Sequence, residues 1–128
     1  MSLLDLADVT RENFSITTIR GERSPTFAFA GNADMDAIAA LGIFLRNLER
    51  AALEQRVALV TCDVRQLYFM NSSCFKCFVL WVNAIAGLSS ELQYAVEFIA
   101  NPGMRWQVRS LENLQHFGPS IIRITVQT

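Results

Sequence analysis

The sequence predicts an α/β domain in which helices pack on a sheet, and three observations predict it. Short alternating or continuously apolar runs take turns with longer segments of three-and-four apolar spacing, in the order β-β-α-β-α-β-α-β. The chain has 128 residues, the usual size of a single domain. Leu, Ile, Val and Phe together number 41, enough for a core and incompatible with a disordered chain.

Residues 14–20 alternate and are rich in Ile and Thr, as a half-buried strand requires. Residues 21–25 form a polar turn. Residues 26–30 are a second strand with Phe27 and Phe29 on one face, so the two make a hairpin. Gly31-Asn32-Ala33-Asp34 leads into a helix that runs to about Gln55. Ile38, Leu41, Leu45, Leu48 and Ala52 form its buried stripe. Glu49, Arg50, Glu54 and Arg56, at its far end, face water.

Residues 57–62 are continuously apolar and stop at Asp63, which suits a strand covered on both faces. Residues 64–70 read as a connection. Asn71, Ser72 and Ser73 are good N-cap residues for a second helix that ends near Gly87. Residues 94–99 read as a strand, and Asn101-Pro102-Gly103 as a turn or helix entry. A third helix runs to about Phe117 with Met104, Val108, Leu111 and Leu114 inward. Gly118-Pro119 ends it, and Ile122, Ile124 and Val126 alternate along a last strand. No repeat, low-complexity tract or linker interrupts the pattern. Residues 13–128 therefore read as one domain, with residues 1–12 an N-terminal segment able to pack on it.

Charged residues make up 18% of the chain, against about 25% in average domains. The net charge is −1, and Lys76 is the only Lys. No basic cluster is present to neutralise phosphates, so nucleic-acid binding is not expected. Met1 to Asp8 carry acids and a short Leu run, unlike a signal peptide. No stretch reaches the ~18 apolar residues of a membrane span. Three Cys residues build no disulfide framework, which suits a reducing compartment and a cytoplasmic location.

The most informative stretch is Asp63-Val64-Arg65-Gln66-Leu67-Tyr68-Phe69-Met70-Asn71-Ser72-Ser73. It resembles the STAS domain family, the sulfate-transporter and anti-sigma-factor-antagonist domains. In that family a strand ends in Asp or Asn, a short loop reads roughly Phe, Met or Ile followed by Asp-Ser-Ser/Thr-Gly, and a helix begins. Gly31-x-Ala33-Asp34 is similar to the family's Gly-x-Leu-Asp, and the element order agrees from about residue 13 to 128. The resemblance implies a STAS-like mixed sheet with helices packed on it. It also implies a phosphoacceptor at Ser73, the second hydroxyl of the motif, with Ser72 as the alternative. In stand-alone family members the unphosphorylated form binds a kinase-like partner and the phosphorylated form releases it. Asp34, Asn71, Ser72, Cys74, Phe75, Lys76 and Val79 are then the implied partner-binding residues. Two positions depart from the family: its Asp is Asn71 here, and its Gly after the acceptor is Cys74.

Residues 74–88 hold only three non-apolar positions, Lys76, Asn83 and Gly87. At about 100° per residue, Phe75, Phe78, Val79, Trp81, Val82 and Ile85 cannot share one face. The surplus face either docks a protein partner or a second copy of the chain, or is covered by Leu3, Leu4, Leu6 and Val9. Phe75, Lys76 and Val79 are the expected outward positions.

Other chemistry is sparsely marked. Cys74-Phe75-Lys76-Cys77 has the C-x-x-C spacing of a redox pair, whose first thiol a helix N-terminus would acidify. Cys77, one turn further along, also reads as a small core residue. Two Cys and the single His116 do not complete a zinc site, and no P-loop or dinucleotide glycine pattern occurs. No metal or cofactor is expected. The sequence thus reads as a regulatory protein-binding domain rather than an enzyme, partnered by an anti-sigma factor or serine-kinase-like protein. The alternatives are a constitutive STAS-like accessory subunit, of a transporter ATPase or a sensing complex, and a C-x-x-C redox protein.

Overall fold

The computed structural model describes residues 4–128. Among them, six strands form one mixed sheet whose order follows the chain: β1 (Val9–Thr10), β2 (Phe14–Ile19), β3 (Thr26–Ala33), β4 (Leu59–Met70), β5 (Ala95–Ala100) and β6 (Ile122–Val126). β1 to β3 pair antiparallel and β3 to β6 parallel. The parallel crossovers are α1 (Ile38–Gln55), α2 (Ser72–Ala86) and α3 (Arg105–Gln115). The protein is therefore α/β, a mixed sheet with three helices packed on it. No helix among the described residues is long and apolar enough to cross a membrane.

Because each parallel strand is added on the same side of its predecessor, right-handed crossovers place all three helices on one face of the sheet. The core fills that face. Phe44 of α1 meets Phe27 edge-on at 5.3 Å between ring centroids, and Phe78 of α2 stands 5.7 Å from Phe29 and 5.9 Å from Phe98. The opposite face carries the cross-strand row Thr17, Ala28, Asp63, Ile99, Thr125, every member only half-buried. The strand expected to be covered on both faces is covered fully on one and only in part on the other: Thr61 is buried there, its hydroxyl 3.3 Å from that of Ser24, while Asp63 on the same side is half-buried.

Four further expectations are corrected. β1 is an additional strand: Val9 pairs with Ile16. Leu4 is buried, and Leu6 and Val9 border a cavity against Ala40, Ile43 and Phe44 of α1. The N-terminal segment therefore covers α1 rather than α2; Leu3 lies outside the described residues. β3 continues to Ala33. Residues 64–70 are not a connection, since β4 runs through to Met70. In this extension Gly31 pairs with Leu67 and Asn32 with Phe69, so Tyr68 is an additional residue on β4; a similar excess falls between Asp63 and Gln66. Two such bulges break the strict alternation that identifies a strand from sequence.

The extension has lost one neighbour, because β4–β5 pairing ends at Asp63 and Ile99. Gln107 of α3, 1% exposed, takes β5's place. Its Nε2 donates to the carbonyls of Val64 and Leu67, both at 2.7 Å, and its Oε1 accepts from the Asn101 N–H at 2.7 Å. On α3, Leu111 and Leu114 point inward as expected, Val108 is half-buried, and Met104 is the N-cap residue rather than part of the stripe.

Candidate functional site

The parallel pairing of β3 with the β4 extension carries both strands to one end of the sheet, where two helical segments start side by side. The Asn71 N–H donates to the Ala33 carbonyl at 2.9 Å, and Cys74 Sγ lies 3.5 Å from the Asp34 carbonyl. Asp34 caps a short 3-10 turn (Met35–Ala37), its carboxylate accepting from the Asp36 N–H at 3.1 Å. Asn71 caps α2, its Oδ1 accepting from the Cys74 N–H at 2.8 Å. The structure therefore brings together Asp34, Asn71, Ser72, Ser73 and Cys74, residues that lie in two separate parts of the chain.

Gly31 lets β3, on its way to this end of the sheet, lie close against the chain entering β2. It has φ +93°, and a Cβ there would sit 2.1 Å from the Asn13 carbonyl oxygen, which accepts from the Asn32 N–H at 2.7 Å. Arg65 braces the base of the extension. Its Nε and one terminal nitrogen bind the two Asp63 oxygens at 3.0 and 2.7 Å, and the other terminal nitrogen donates to the Thr128 carbonyl at 3.0 Å. Burial raises the Asp63 pKa, but the hydrogen bonds and charge of Arg65 outweigh it and hold the carboxyl below its ordinary value.

Of the three candidate caps, Asn71 performs the capping. Ser72 and Ser73 are the first two residues of α2; both are exposed, and among the described residues neither hydroxyl is engaged in a hydrogen bond. Cys74 is fully buried with its thiol turned to Asp34, so it leaves the helix start open. Its burial, with the neighbouring Cys77 and Asp34, pushes the thiol up to about 11, opposite to the acidification a redox nucleophile needs. Cys77 is half-buried and is also shifted up, again by burial.

The expected outward face of α2 is corrected. Lys76 is exposed, but Phe75 and Val79 are half-buried against the core. Leu80, 60% exposed, is the large apolar side chain that points out. Around the start of α2, Met35, Tyr68 and Phe69 are 79%, 54% and 48% exposed, an apolar group the sequence reading did not single out. Its signal was present in the Tyr68-Phe69-Met70 run, but the bulge at Tyr68 hides which of these face water. His116 is the exposed C-cap residue of α3, and no group of three or more His, Cys, Asp or Glu residues that could hold a metal occurs among the described residues.

No protein-family model matches the chain, and no curated protein matches its sequence. The likeness to STAS domains rests on the motif ending at Ser73, on Gly31-x-Ala33-Asp34 and on the order of elements.

Proposed function

We propose that the protein is a cytoplasmic, bacterial-type regulatory domain that binds a protein partner at the sheet end around Ser73 and releases it when Ser73 is phosphorylated. It acts by binding and not by catalysis, and the partner is an anti-sigma factor or serine-kinase-like protein. The observation that carries this reading is the environment of Ser73. Its hydroxyl is exposed at the second position of α2, and Asn71 already satisfies the cap, so modification removes no structural hydrogen bond. A phosphate there sits at the positive end of the helix dipole and is accommodated without refolding. It adds about −1.5 to −2 charges to the end of the sheet at which β4 leads into α2. Desolvating that charge under an apolar partner costs several kcal/mol, and each ~1.4 kcal/mol is a tenfold loss of affinity.

A second reading, constitutive binding by a STAS-like accessory subunit, is favoured by one observation: Asn71 provides the cap without the family's negative charge beside the acceptor. Affinity purification with wild-type and Ser73→Asp baits, together with phosphopeptide mass spectrometry from native cells, separates the two. Switching predicts a partner captured by wild type, at least tenfold less of it with Ser73→Asp, and a phosphopeptide containing Ser73. Equal capture by both baits with Ser73 always unmodified refutes switching and leaves constitutive binding.

A further inference from the structure

The helical layer carries a feature that the Ser73 reading does not use. Between α1 and α2 runs a groove of about 550 Å3, within the ~300–1,000 Å3 of small-molecule pockets. Its apolar lining comes from Leu45 and Leu53 of α1 and from Cys77, Leu80, Trp81 and Ala84 of α2. Gly42 contributes no side chain, and a Cβ there would meet Arg46 at 3.5 Å and the Cys77 sulfur at 4.0 Å.

The polar groups at the groove fall into two sets. The first set is already bonded. Trp81 Nε1–H donates to the Tyr94 hydroxyl at 3.0 Å, and that hydroxyl donates to the Glu49 carboxylate. Glu49 was expected to face water, but it is turned inward by this contact and is half-buried. The second set is Arg46 and Arg50, both exposed, with no acidic partner within salt-bridge distance among the described residues. At i and i+4 they lie on one side of α1, where like charges repel. An anion between them would relieve that repulsion and accept paired guanidinium hydrogen bonds.

We propose that the α1–α2 groove binds a long-chain carboxylate, the chain lying over the apolar lining and the carboxylate held by Arg46 and Arg50. A second copy of the chain is the competing occupant, since a two-fold contact would set this patch against itself, and it would leave the paired guanidinium groups of Arg46 and Arg50 with only the Glu49 carboxylate of the same groove to share.

The test is isothermal titration of the purified full chain with sodium dodecanoate and, separately, with dodecyltrimethylammonium, both below micelle formation. Saturable one-to-one binding of dodecanoate is expected, at least tenfold tighter than the cation. The Arg46→Gln/Arg50→Gln double variant should bind dodecanoate at least tenfold more weakly and lose the preference for the acid. Ala84→Phe, which fills the groove wall at an exposed position, should abolish binding of both probes while the circular dichroism spectrum stays unchanged. The proposal is overturned by absence of saturable binding, by equal affinity for the two head groups, or by undiminished binding in the double variant. It is also overturned if sedimentation shows a dimer that excludes the probe and that Ala84→Phe dissociates. Neither Ser73 nor its phosphorylation enters these measurements, so the outcome is independent of the switching proposal.

Discussion

Replacing Gln107 with Met keeps the side-chain length and much of the volume while removing the amide. In the native chain that amide joins three backbone groups on two segments: the carbonyls of Val64 and Leu67 and the N–H of Asn101, each at 2.7 Å. The residue is 1% exposed, so water does not take over the bonds without opening the structure. A buried polar group left unpaired costs roughly 1–3 kcal/mol. Three such groups, two of them carbonyls with a second lone pair, give an expected loss of about 3–5 kcal/mol. That is a large share of the ~5–15 kcal/mol of a typical domain. At roughly 4 °C per kcal/mol, the melting temperature should fall by about 12–20 °C. Urea unfolding followed by far-ultraviolet circular dichroism measures the loss directly. Hydrogen exchange should localise it, with amides of residues 64–71 exchanging faster than those of β5. A loss under about 1 kcal/mol, or unchanged exchange along the β4 extension, would refute the idea that Gln107 substitutes for the missing strand pairing. Since the extension leads directly to Asn71 and Ser73, the same variant should weaken partner capture even though Gln107 is buried beneath α3.

Two further predictions concern the elements that hold this end of the sheet. Gly31→Ala meets both a positive φ and a backbone oxygen 2.1 Å from the new Cβ, so it should cost about 3 kcal/mol or more in urea unfolding; a loss below 1 kcal/mol would show that the β2–β3 hairpin yields easily. The Asp63 carboxyl has a lowered folded-state pKa, so its contribution is present above the ordinary carboxylate value of about 3.9 and is lost as pH falls through the lower folded-state value. Asp63→Asn should therefore be less stable than wild type at pH 7. The gap should narrow below about pH 4, and a gap independent of pH would exclude the ion pair with Arg65 as its source.

Much of the candidate site was legible from residues 71–74, because capping is local chemistry: Asn, Ser and Ser before an apolar helix mark its start whatever surrounds it. Which of the three caps it was not legible, since that depends on the backbone angle at which β4 delivers the chain. Tyr68 and Phe69 were missed because a bulge shifts the inside–outside alternation by one residue, and only the partner strand reveals where the shift occurs; Met35 was missed because it lies in the 3-10 turn, which carries no strand or helix periodicity.

By itself the sequence determined the α/β class, the helices and most strands, and the inward stripe Leu41, Leu45, Leu48 and Ala52. These follow from periodicity, which each segment carries within itself. Tertiary structure decided what depends on distant neighbours. It left the second face of the mixed sheet without a helix, laid the N-terminal segment on α1, turned Glu49 inward to Tyr94 and made Leu80 the outward residue of α2. The physical reason is that an apolar side chain is driven inward without needing a particular partner. A polar one is buried only where a specific, sequence-distant partner satisfies it, as Val64, Leu67 and Asn101 do for Gln107.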